Sequence, residues 1–175
     1  MRSCSGRAIL PGHELDSSDR KTLIERYARQ SDELAQRIKG IPASEILHPT
    51  KQAEWSAHQL LVHVRDVEAQ AYQPRLERIL SQANPHFEDF DAEGWMRIHY
   101  RPSEPAPAVL ADFAAARLRG MALIEKMAAE DWQRPGTHPE TGPRSFEWWM
   151  IRAVEHAQEH LDELARRWES AEQED

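Results

Sequence analysis

Residues 145–168 read SFEWWMIRAVEHAQEHLDELARRW. Apolar side chains recur at Trp149, Ala153, Val154, Ala157, Leu161, Leu164 and Trp168, the three- and four-residue spacing of one helix face. Ser145 stands where an N-cap hydroxyl accepts a backbone N–H, with Trp148 at the third helical position. The stretch therefore predicts an amphipathic helix, and such a helix needs partners to bury its stripe.

Three more stretches supply them. The first starts at Ser17-Ser18-Asp19, with Ser or Asp as N-cap, and runs through Leu23, Ile24, Tyr27, Leu34 and Ile38 until Gly40 and Pro42 end it. The second opens near Trp55-Ser56 and continues to about Ser81, with apolar positions at Leu60, Leu61, Val64, Val67, Ala71, Leu76, Ile79 and Leu80. Pro74 lies inside it and predicts a kink or a split, because proline removes a helix hydrogen bond. The third runs from Pro105 through Val109, Leu110, Phe113, Leu118, Met121, Leu123, Ile124 and Met127. Residues 131–144 read as a turn-rich loop. No alternating strand pattern of useful length appears.

Four amphipathic helices in a chain of 175 residues predict an all-α fold, one four-helix bundle. Residues 17–169 are the expected bundle, with tails at 1–16 and 170–175. The connections decide its topology. Short links favour antiparallel neighbours, but 82–103 holds about 22 residues, able to extend roughly 70 Å. The second helix needs only about 39 Å. This segment, with a short helical turn expected near Trp95, can cross the whole bundle and leave the second and third helices parallel.

Composition narrows the function classes. The net charge is −8 and no Lys/Arg cluster appears, which argues against nucleic-acid binding. No stretch has the apolar length of a membrane span. Ala8-Ile9-Leu10 is too short for a signal-peptide core, and Pro11 follows it. Cys4 is the single cysteine, so no internal disulfide forms, and a reducing cytoplasm is the expected compartment.

The chemistry concentrates in Glu155-His156-Ala157-Gln158-Glu159-His160. Histidines at i and i+4 project on one side of a helix, one turn apart, so both imidazoles can reach one metal ion. By itself such a pair equally describes a solvated helix face. It is not the zinc-protease HExxH, because Ala157 occupies the glutamate position. A third ligand must come from another helix, and the second helix offers His58 and His63. About 140° of rotation separates them, so they do not share a site. His63 lies about 90° from the centre of the apolar stripe and His58 about 130°. His63, His156 and His160 thus flank the core, where water can enter.

At these residues the chain resembles the DinB-like superfamily, also called YfiT/DinB-like, of metal-binding four-helix bundles. The resemblance rests on WSAHQLLVHVRDVE (Trp55 to Glu68), on DWQRPGTHPETGPRSFEWW and on EHAQEHLDEL, which together cover most of 17–168 in order. It implies a triad of His63, His156 and His160 around nickel or zinc, with open coordination positions, and often a homodimer. Family members include thiol-dependent S-transferases and a mycothiol-dependent isomerase.

Three neutral imidazoles leave a position for water or substrate, the arrangement of catalytic zinc. The expected activity is therefore metal-assisted activation of a low-molecular-weight thiol or a water, acting on a small-molecule substrate. A metal-dependent hydrolase and a non-catalytic metal- or ligand-binding module are the alternatives. A thiol transferase needs a cationic rim, for which Arg65, Arg101, Arg144 and Arg152 are candidates beside an ordinary surface role. A hydrolase needs a base, and Asp66, Glu155 and Glu159 are nearest in sequence. His138 reads as a loop residue that could reach the cleft mouth. Trp132, Trp148 and Trp149 read as a pocket wall or as anchors of the loop.

Overall fold

The computed structural model describes residues 14–49 and 55–168. Cys4 and the expected tail 170–175 lie outside the described residues. Of the stretch expected as an N-terminal tail, 14–16 is described and it packs. Leu15 is buried and donates its N–H to Glu147 Oε1 at 3.0 Å. Asp16 caps the first helix, accepting from Ser18 N–H at 2.8 Å and Asp19 N–H at 2.9 Å, one position earlier than the sequence suggests.

That helix, α1, spans Ser17–Lys39. Next, α2 spans Ala57–Val67, opened by a reciprocal capping box between Ser56 and Gln59. The expected single second helix is split. A π-helical turn, Glu68–Tyr72, intervenes before α3, Gln73–Ser81. The Gln73 N–H reaches back five residues to Glu68 O. Pro74 has no N–H and its ring would strike the carbonyl four residues back, so the widened turn just before it relieves the ladder.

The long connection contains α4, Ala92–His99, capped by Asp91. It is followed by α5, Ala106–Ile124, and a 3₁₀ turn, Ala129–Gln133. The segment read as a turn-rich loop also forms an antiparallel hairpin, β1 Pro135–His138 and β2 Gly142–Ser145. Its four-residue strands carry Pro and Gly and have no alternation to detect; docking holds them instead. Gly136 lies so close to Phe87 and Ile79 that a Cβ there would sit 2.4 Å from the Phe87 ring. Thr137 bonds Pro85 O and the Phe87 N–H, both at 2.8 Å. Last is α6, Phe146–Trp168, where Ser145 Oγ accepts from the Trp148 N–H at 3.2 Å, the cap expected from sequence.

Contacts fix the helix directions. Along α2 and α5, His58 meets Glu104, Arg65 meets Asp112 and Glu68 meets Arg117, so the two rise together. Along α2–α3 and α6, Trp55 meets Arg167, His63 meets His156 and Arg75 meets Trp149, so these run antiparallel. Arg20 meets Glu147 and Gln30 meets Val154, so α1 and α6 are parallel. The bundle is all-α in its core, with α2–α3 and α5 parallel as the long crossover predicts. From Phe87 at the Trp149 end to Tyr100 at His58, that crossover travels the length of the bundle.

Two apolar clusters fill the interior. One gathers Tyr27, Leu76, Ile79, Phe146 and Met150, the other Leu34, Leu60, Leu61, Phe113 and Leu164. Between them α1 and α5 approach closely at Gly120, where a Cβ would stand 2.3 Å from the Tyr27 hydroxyl. Glycine to alanine inside a helix usually stabilises by about 1 kcal/mol. Here the sign should reverse, because Tyr27 is fully buried and held by Glu68 at 2.7 Å. Gly120→Ala is expected to destabilise the fold by roughly 1–3 kcal/mol, as overpacking does. A raised midpoint in denaturant unfolding would contradict this close approach.

Candidate metal centre

His63 projects from α2 and His156 and His160 from successive turns of α6, at the level where the two antiparallel helices meet. One nitrogen from each ring lies within 4.8 Å of the others. His63 Nε2 and His156 Nε2 are 3.1 Å apart. The three ring centroids are 4.8–5.1 Å from one another.

The supports around the rings favour a cation. Glu163 Oε2 is 2.9 Å from His160 Nδ1, which directs Nε2 of that ring toward the other two. Glu163 is itself gripped by Arg167, whose guanidinium also donates to Trp55 O at 2.9 Å. Trp55 in turn packs its ring edge-on to His63, centroids 5.1 Å apart. Glu163 and Arg167 thus tie the α6 ligand positions to the start of α2. The sequence reading missed Glu163, although its spacing from His160, i+3 on the same face, is a usable signal.

Burial holds His63 far below the ordinary histidine range, to about 4, with repulsion from His160 adding to it. His156 is pushed down to about 2, first by burial, then by His160, His63, Arg117 and Arg152. Both rings are therefore neutral at physiological pH and offer lone pairs without first losing a proton. With bonds of 2.0–2.1 Å, ligand nitrogens on one cation stand about 2.9–3.4 Å apart for right-angle to tetrahedral geometry. The 3.1 Å between the two Nε2 atoms falls in that range. The residues present fit a divalent cation held by three imidazole nitrogens.

Other sequence candidates are placed elsewhere. His58 is buried and spans Tyr100 Oη (3.1 Å) and Glu104 O (2.8 Å), pinning the crossover to α2. His138 is buried under the hairpin, against Trp149 and 3.5 Å from Asp89, outside the triad. Arg65 is spent on Asp66, Glu104 and Asp112. Arg101 bonds the Ile98 and Tyr100 carbonyls, and Arg144 lies over Trp148. Only Arg152, paired with Glu155 at 2.7 Å, acts on the triad. Asp66 is held by Arg65 and by Trp95 Nε1 at 3.1 Å, and Glu159 is exposed. Trp132 and Trp149 are buried in the core cluster with Trp148 packed on it, which makes them anchors of the loop.

Tyr72, also unremarked in the sequence, closes the triad on the α3 side, its ring 5.7 Å from that of His156. On an uninterrupted α-helix, nine residues from His63 would turn Tyr72 to the opposite face. The π-turn absorbs one residue and brings it back toward the triad. Burial raises the phenol's pKa, so it stays protonated and can donate. Beyond Trp55, a cavity of about 410 Å³ opens between the start of α2 and α4, lined by Trp55, Gln59, Glu93, Met96, Arg97 and Tyr100.

The solved structure of YfiT from Bacillus subtilis superposes on this chain with a TM-score of 0.81, covering 91% of this chain and 93% of that one at 20% identity. It is described as "a probable metal-dependent hydrolase with an unusual four-helix bundle topology". At that identity the likeness concerns the fold. A search of curated proteins finds no match. Residues 26–164 match the DinB superfamily, a span that takes in most of α1, all of the crossover and every histidine of the triad. The chain belongs to the DinB superfamily.

Proposed function

We propose that His63, His156 and His160 hold one divalent metal ion, and that the protein is a metal-dependent enzyme activating a small nucleophile, a low-molecular-weight thiol or a water. The convergence of three nitrogen donors, two of them kept neutral by burial, carries this reading. Such an ion lowers the pKa of a water or thiol that reaches it. All-imidazole ligation suits zinc and nickel. The helices deliver the three rings already assembled, Glu163 orients His160, and Tyr72 offers a hydrogen-bond donor at the edge of the site.

Of the two nucleophiles, the thiol fits the surroundings better. Water needs a nearby base to take its proton. Asp66 and Glu155 are each committed to an arginine, and Glu159 is exposed. A metal-dependent hydrolase, the description given to YfiT, is the second reading; it would use the same ion without a carboxylate base. We expect the substrate to be a small molecule, because a net charge of −8 disfavours a polyanionic partner.

Two outcomes test the proposal. Wild type should retain about one zinc or nickel per chain, and His160→Ala should weaken retention by 10–100-fold or more. Because His160 lies at the edge of the core, its helical circular dichroism should be unchanged. Elemental analysis with a thiol-conjugation screen reads both. Metal content and activity that persist in the variant would sink the assignment.

The second outcome concerns pH. His63 and His156 have folded-state pKa values of about 4 and about 2, below the ordinary 6.5 that they regain on unfolding. The unfolded chain therefore binds more protons in that window, and stability rises with pH. The metal-free protein should keep its full stability above pH 6.5 and lose it progressively as pH falls through 4. Thermal melts across this range should flatten in a His63→Gln/His156→Gln double variant. An equally steep acid loss in that variant would assign it to other groups.

A further inference from the structure

Arg75 occupies an unusual place for a cation. It is 9% exposed, yet among the described residues it forms no ion pair. Its guanidinium stacks on Trp149 at 4.6 Å, lies 5.9 Å from Phe87, and makes one hydrogen bond, from Nη2 to Glu88 O at 3.2 Å. Guanidinium carries five N–H donors. None of its nitrogens is sealed away from solvent without a partner, and the residue lines the adjoining cavity. That cavity, about 330 Å³, is lined by Arg75, Arg78, Gln70, Pro74 and the crossover segment 86–90.

Glu88 and Asp89 line the same cavity and Asp89 acts on Arg75 through space, but burial outweighs it and lowers the guanidinium's pKa. Asp89 accepts the Phe90 N–H at 2.9 Å and faces His138 at 3.5 Å, while Glu88 is exposed and meets Arg75 through its carbonyl. Burying a cation without a counter-ion costs free energy unless something pairs with it. The bland alternative, a guanidinium satisfied by stacking alone, leaves its in-plane donors unused.

Arg75, at the wall of that cavity, is linked to the histidines through Tyr72. Arg75 follows Tyr72 by one turn of α3, and Tyr72 touches His156. Both Arg75 and Arg152 act electrostatically on the Tyr72 phenol. Trp149, beneath Arg75, precedes His156 by seven residues, about 10 Å along α6.

We propose that Arg75 is the carboxylate-binding end of the substrate site, so that the protein takes a small molecule whose carboxylate is held there while its reacting group reaches the three histidines. A planar guanidinium with free in-plane donors matches a carboxylate in bidentate fashion. This rests on the metal reading above.

The test uses cobalt-loaded protein and suberic acid monohydroxamate, which carries a metal-binding hydroxamate at one end and a carboxylate at the other. Its methyl ester is the uncharged control. Binding is followed through the visible absorbance of the cobalt at neutral pH. Wild type should bind the acid about tenfold more tightly than the ester. Arg75→Gln should bind the ester as wild type does, which certifies its fold and metal, yet show no preference for the acid. Arg75→Lys, which keeps the charge without the planar fork, should retain part of the preference. Equal affinities in wild type, or a preference that survives in Arg75→Gln, overturns the proposal while leaving the metal site standing. Failure of wild type to take up cobalt overturns both.

Discussion

A buried ion pair holds this bundle together. Glu68 and Arg117, both almost fully enclosed, meet at 3.2 Å in the interior. Glu68 also accepts from Tyr27 Oη at 2.7 Å, and Arg117 donates to Ala153 O at 3.1 Å while stacking 3.9 Å over the Tyr27 ring. One connected set of contacts thereby links α1, the α2–α3 junction, α5 and α6. Two further Arg117 nitrogens are buried without partners, so the pair carries a desolvation cost that apolar residues would avoid. Its value lies in specificity. Apolar side chains tolerate some sliding of one helix along another, whereas the Glu68–Arg117 contact is made in one register.

That register sets up the candidate site. Glu68 is the first residue of the π-turn, and the π-turn rotates Tyr72 toward His156. Arg117 adds its charge to the forces that keep His156 unprotonated. The crossover contributes as well. Because it runs along the bundle, it walls one flank of the α2–α3/α6 groove, with α4 beside Trp55 and Gln59 and the 86–90 segment beside Arg75. A short hairpin connection would have left that flank open. The long link that makes the helices parallel therefore also encloses the groove.

Much of this was legible in the sequence because it follows from period and position. The four apolar stripes, the Ser145 cap and the length of 82–103 each state a local constraint that the tertiary structure keeps. His63 could be separated from His58 because 140° of rotation is too much for one site, and the structure uses His58 instead to bind the crossover. What escaped depends on partners distant in sequence. The π-turn follows from Pro74 combined with the pull of Glu68 toward Arg117, and only the first is local. The hairpin has no strand propensity of its own and exists because Phe87 and Ile79 press on Gly136. Arg75 is one arginine among many until Trp149 and the crossover close over it.

The triad also differs from a site that metal must fold. His63 and the His156/His160 pair come from helices already joined by Val64, Val67, Val154 and Ala157 in the core and by the Arg167 contact to Trp55. The rings converge through packing, so the cost of assembling them falls on folding and not on binding. Among the described residues no carboxylate joins the three imidazoles as a ligand. Arg152, though paired with Glu155, still adds its charge to the forces that keep His156 unprotonated. The burial and mutual repulsion that hold His63 and His156 unprotonated therefore also leave their nitrogens free for a cation, because a ligand must first be without its proton.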